Sequence, residues 1–257
     1  MTIHKILRIA DIQTSEILYF DEGLKERCYK FCTERNIDCL PSLDEPYTLY
    51  TRDEVLGKFR SERLTEERRL APDVNIFDPQ VLEKFRQKPL LLVYQGNDLR
   101  GVVHFTDYNQ PPVRAYLYEL LYEYEKALRA LLTRNGFKNV DMIAYLSEKK
   151  AKERDPETYE KKVNDYFKYG SQKKLPQFEV FYLADLIALV NHKHILKLSD
   201  KTRLKNMVLQ ANEIVNPNDP TAENFIYDFE TFENFFRWTQ ELLLDYKRVS
   251  NRLVFGL

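Results

Sequence analysis

Glycine is scarce in this chain, 7 in 257 residues, which favours helices over an all-β design. Cysteine is scarcer. Cys28, Cys32 and Cys39 leave no second ligand pair for a tetrahedral zinc site, so all three are expected as reduced structural thiols. Neither sign of charge predominates, and a formal net charge of −1 gives the whole molecule no field that would steer nucleic acid toward it. No apolar run approaches the roughly 20 residues that span a bilayer, so no membrane partner is expected. Met1 to Ile12 is interrupted by Lys5, Arg8 and Asp11 and lacks a signal-peptide core. A cytoplasmic protein is expected.

What is present is ordinary globular material, 44% hydrophobic and 31% charged, in a length that suits one large domain or two average ones. The most informative stretch is Leu90 to Asn109. Two apolar runs, Leu90 to Tyr94 and Gly101 to Phe105, flank a polar Gln95–Arg100 turn and read as a hairpin. Pro111 and Pro112 then open a long helix, since proline fits a helix's first turn but not its interior.

Upstream, an extended run at Ile17–Phe20 precedes Asp21, which caps a helix carrying Leu24, Cys28, Phe31 and Cys32. Ile37 to Leu43 and Tyr47 to Thr51 read as strands, and a charged helix is expected from Asp53. The plan then recurs. Val74–Phe77 is extended, Asp78 is an N-cap, Pro79 takes the first helical position, and the hairpin follows. Ile17 and Val74 stand 57 residues apart, as Asp21 and Asp78 do, so two copies of β-α-β-β-α are expected at a period near 55. The charged strip Arg60–Arg69 between them mixes both signs and reads as a solvated face.

On these residues the first 110 or so positions resemble a tandem pair of cystathionine-β-synthase-type (CBS) domains, a nucleotide-sensing module over 1–110. The second copy, Gly101-Val102-Val103-His104-Phe105-Thr106-Asp107, follows the family's arrangement of a glycine, two apolar residues, Ser or Thr, two further residues and Asp. The resemblance implies an AMP-, ADP- or ATP-type ligand, with Asp107 on the ribose hydroxyls; His104 stands where the family has Ser or Thr, near the phosphate. The first copy offers Thr51 and Asp53 without the glycine. Asp107 is equally suited to cap the next helix.

From Val113 the pattern is helical. Val113, Leu117, Leu120, Leu121, Tyr124, Leu128, Leu131 and Leu132 keep one stripe for more than five turns. Glu125 and Arg129 form an i, i+4 pair, and Gly136 ends the helix. A second helical region, Asp141 to Tyr169, restarts at Pro156. Its stretch from Glu148 to Lys174 holds nine Lys/Arg against six Asp/Glu. Asp185, inside an apolar stripe, must find a partner or shift its pKa. His192 and His194 are placed in a surface loop. A helix at 204–215 and an aromatic last helix, Thr231 to Leu253, complete an all-α bundle over 111–257.

This half resembles HEPN domains, a helical superfamily that includes many RNases. The likeness rests on Glu125 and Arg129, on Phe181 to Leu186, and on Lys205 to Asn212. Active members carry Arg, usually followed by Asn, then His four to six residues after the Arg. Lys205, Asn206 and Gln210 stand at those places. Glutamine cannot accept and return a proton near pH 7, and losing a general base typically costs about 10²–10⁴-fold. A degenerate, inactive site is therefore implied; the same residues also suit the polar face of a helix.

The fold expected is thus an α/β CBS pair followed by an all-α bundle, with no Gly/Ser-rich linker between. The leading expectation is a non-catalytic regulatory protein that couples an adenosine nucleotide to a helical interaction domain. A homodimer is implied by resemblance, with the aromatic last helix as its interface. A nucleotide-regulated RNase and a scaffold with vestigial CBS sites are the alternatives. RNA could enter only through Lys149–Lys174, with a steep salt dependence.

Overall fold

A computed structural model describes residues 6–152, 156–170, 175–199 and 224–256. The chain divides into two compact units. The first takes residues up to Val113 together with Asn224–Glu233; the second takes the remainder from Arg114.

The first unit is mixed α/β. A helix α1 (Lys25–Glu34) precedes three antiparallel strands, β1 (Cys39–Pro41), β2 (Thr48–Asp53) and β3 (Lys58–Arg63), in that order across the sheet. A second sheet has the order β4-β5-β6: β4 (Arg69–Leu70) runs parallel to β5 (Leu90–Gln95), which pairs antiparallel with β6 (Asp98–His104). Between β4 and β5 lies α2 (Pro79–Gln87), started by the Asp78 carboxylate accepting from Gln80 N and by Pro79 at its first position. Its stripe Val81, Leu82 and Phe85 is buried. The β5–β6 turn closes through Gly96, whose φ of +62° suits a residue without Cβ, and Tyr47 donates its hydroxyl to the Gly96 carbonyl at 2.7 Å.

Three expectations fail here. Asp53 starts no helix. Its carboxylate accepts from Val55 N and Leu56 N in a tight turn that passes through Gly57 (φ +61°), and the charged residues after it form β3. A strand with almost every side chain in water has no alternation to reveal it. Ile17–Phe20 forms no strand beyond one parallel bridge from Phe20 to Ser42, and Val74–Phe77 pairs only through an Arg8–Asn75 bridge. The β-α-β-β-α order is therefore incomplete in both copies. Each copy does put a helix between parallel-paired segments, Phe20 with Ser42 around α1 and β4 with β5 around α2.

The unit's core joins both sheets through Cys39, Leu49, Leu64, Leu92 and Tyr94. Its aromatic centre includes residues far apart in the chain: the Phe232 ring lies 4.9 Å from Tyr108 and 5.2 Å from Phe85. Asn109 fastens the same late segment, accepting from Phe225 N and Ile226 N at 3.1 and 3.0 Å and donating to the Ile226 carbonyl.

The described part of the second unit is helical. Its elements are α3 (Pro111–Arg134, begun in the first unit), α4 (Asn139–Lys152), α5 (Pro156–Asp165) with a π-turn at Tyr166–Gly170, α6 (Leu183–His192) and α7 (Phe229–Phe255, also begun in the first unit). The predicted stripe of α3 is its buried face, from Leu120, Tyr124 and Leu128 to Leu132, packed with Met142, Leu186 and Val249. His192 ends α6, and His194 follows it in a turn. No described helix is long and apolar enough to cross a membrane.

Candidate functional site

The Gly101–Asp107 segment ends β6 and enters a short 3-10 helix, Phe105–Asn109. Gly101 is buried where residues 13–14 cross the strand: Thr14 and Val102 exchange backbone hydrogen bonds at 2.9 and 3.0 Å, and a Cβ on residue 101 would meet Thr14 O and the Gln13 side chain at 2.9 Å. The crossing needs a residue without a side chain.

Past the strand, three candidate residues bond to one another. Asp107 Oδ2 accepts from the His104 backbone N–H at 2.7 Å, and His104 Nδ1 lies 2.7 Å from Thr106 Oγ1 and accepts from Thr106 N at 3.3 Å. His104 is therefore the N-cap, and Asp107 closes the reciprocal capping box three residues on. The other carboxylate oxygen, Oδ1, accepts from Gln110 Nε2 at 3.2 Å, and that same amide donates to Ile12 O at 2.8 Å. Gln110 is the last residue before α3. Sequence reasoning passed over it, because both of its partners, Ile12 O and Asp107 Oδ1, are set by packing.

All three candidates are half-buried. Burial pushes the Asp107 carboxyl above its usual range, against the opposing pull of the His104 N–H, the Gln110 amide and the His104 ring. Burial also holds the His104 imidazole below its usual value, with the Asp107 charge opposing. A carboxylate has about four acceptor positions; two are occupied here, which leaves one on each oxygen for a hydroxyl donor.

Thr51 and Asp53 sit apart from this cluster, on β2 of the other sheet. Thr51 Oγ1 donates to Glu62 Oε1 at 2.8 Å, and Asp53 is occupied by its turn and by Arg60. Their role in the structure is to hold the β2–β3 hairpin.

In the second unit, Arg129 pairs with Glu125 and also reaches the loop before α6, through Phe178 O at 3.3 Å and Glu179 at 3.6 Å. The pair is buried further than a surface i, i+4 contact, and burial raises the Glu125 carboxyl despite Arg129. Asp185 finds its partner in Lys162, a residue of the basic stretch. Lys205, Asn206 and Gln210 lie outside the described residues. Among the described residues no group of three His, Cys, Asp or Glu side chains is placed to hold a metal ion.

Comparison with protein-family models, with curated proteins and with solved structures finds no match for the chain.

Proposed function

We propose that this chain is a non-catalytic regulatory protein of the CBS-pair type that binds an adenosine nucleotide at the His104–Thr106–Asp107 turn and passes the signal to its helical half. The observation that carries this is the Asp107 carboxylate. It is half-buried, held by two neutral donors rather than a cation, and keeps one acceptor position per oxygen, which is what a pair of vicinal ribose hydroxyls requires. The placement of a helix between parallel-paired segments in each copy agrees with it. A ligand hydroxyl on Oδ1 would share that oxygen with the amide of Gln110, the last residue before α3. The signal would thus enter the helical half through α3, in a protein expected to act as a homodimer.

A scaffold is the second reading, favoured by the same capping box, since Asp107 already has a structural task. Thermal-shift titration with AMP, ADP, ATP, S-adenosylmethionine and cyclic dinucleotides separates the two. A ligand at 100 times its Kd adds about 2.7 kcal/mol. Asp107→Asn keeps an acceptor for the His104 N–H but removes the charge. A shift lost in that variant supports the sensor; no shift with any ligand leaves the scaffold.

A further inference from the structure

We propose that the cleft between the start of α1 and the β2–β3 hairpin binds a free aromatic α-amino acid. The cleft has a volume of about 360 Å³, near the lower end of the roughly 300–1,000 Å³ common for small-molecule sites. Its wall is aromatic. Phe20 and Tyr50 stack with centroids 3.7 Å apart, and Phe59 stands edge-on to Phe20 at 5.2 Å and to Tyr29 at 5.7 Å. Tyr29 is held in this wall by its hydroxyl, which donates to the Asp53 carbonyl at 3.2 Å. Tyr29, Tyr50 and Phe59 each stay partly exposed to the cleft's solvent. A further ring added edge-on or offset would cover that surface in the geometry aromatic pairs prefer.

The rim decides the ligand's charge. Lys25 and Glu22 neutralise each other at 3.0 Å. Glu26 and Lys58 line the same cleft and are exposed, and their side chains make no ion pair or hydrogen bond among the described residues. One unpaired anion and one unpaired cation beside an aromatic wall complement an ammonium and a carboxylate on a single ligand that also carries a ring. A nucleotide's phosphates would gain Lys58 but face Glu26 with nothing to offset it. A simple amine or a simple carboxylate would satisfy one rim charge and leave the other. The cleft lies on the first sheet, whereas the Asp107 turn ends the second, so this site does not depend on the nucleotide reading.

The test is calorimetric titration of the full chain with L-phenylalanine, phenethylamine, 3-phenylpropionate and AMP. L-Phenylalanine is expected to bind about two- to fivefold more tightly than either analogue, since each lacks one contact to an exposed rim charge. Lys58→Gln should weaken L-phenylalanine and not weaken phenethylamine; Glu26→Gln should weaken L-phenylalanine and not weaken 3-phenylpropionate. Both positions are exposed, so neither change threatens folding. Asp107→Asn should bind L-phenylalanine as the unaltered chain does, which keeps this outcome separate from that of the nucleotide. The proposal is overturned if L-phenylalanine does not bind at millimolar concentration, if either analogue binds equally well, or if AMP displaces it in a Lys58-dependent way.

Discussion

Lys162 on α5 donates its ammonium to the buried carboxylate of Asp185 on α6, bonding Oδ1, while Oδ2 has no hydrogen-bond partner among the described residues. Asp185 is 4% exposed and sits in the first turn of α6, where the helix dipole also favours a negative charge. Lys162→Met should strand that charge and cost about 3 kcal/mol, the low end for a broken buried pair, because the lysine side chain keeps 26% exposure. The double change Lys162→Met with Asp185→Leu should recover most of the loss. Urea midpoints of the three variants measure both effects, and a double variant no better than the single one would mean that the pair is not the determinant.

Gly101→Ala should destabilise the first unit by about 1–3 kcal/mol through overpacking. The added methyl meets backbone oxygen at Thr14 as well as the Gln13 side chain, and only the side chain can swing away. Thermal unfolding reads the effect; an unchanged midpoint would show that residues 13–14 are not docked on β6.

His104 should make the protein acid-labile. Its folded pKa lies below the ordinary value of 6.5, so the neutral imidazole contributes stability above that value. The contribution is lost as pH falls from 6.5 through the folded pKa, when Nδ1 must take a proton and cease accepting from Thr106 N. Asp107 acts in the opposite sense. Its raised pKa means the folded state takes up the proton first, and stability from this group rises as pH falls through the folded value toward 3.8. His104→Asn, which keeps an acceptor near Thr106, should flatten the decline of Tm just below pH 6.5. An identical pH profile in the variant would refute the assignment.

The thiols should differ in reactivity. Cys32 is fully buried and Cys39 is 7% exposed, and burial raises both above the ordinary thiol value. Arg68, donating to Cys39 Sγ at 3.3 Å, opposes the rise without cancelling it. Cys28 is half-buried. Iodoacetamide at neutral pH should modify Cys28 in the native protein and the other two only after denaturation, as peptide mass spectrometry would report.

The elements legible in the sequence are those whose signal is local. Asp78-Pro79 announced α2, the apolar runs around Gly96 announced the hairpin, and the long stripe announced α3, because caps, turns and helical periodicity act over a few residues. The β3 strand was missed because it faces water nearly throughout and so lacks a buried face to write into the sequence; Gly57 was the one signal against a helix there. Within the candidate site, Asp107 was recognised as a capping residue, but for the long helix to follow rather than for the short turn that His104 begins. Gln110 and Lys162 escaped notice because a partner's identity depends on packing between segments, which no spacing encodes.

The Asn109 amide, bonded to backbone 116 and 117 residues further on, has a consequence for the order of events during synthesis. At about 5–20 residues per second the ribosome needs on the order of ten seconds to deliver Phe225 and Ile226 after Asn109. Through that interval the nascent first unit lacks Phe232, and Phe85, Phe105 and Tyr108 are left without the ring that packs among them. A fragment stopped near residue 113 would carry this opening permanently, with apolar rings offered to any chaperone or neighbouring chain. The unit that begins first is thus completed only after most of the second has been made.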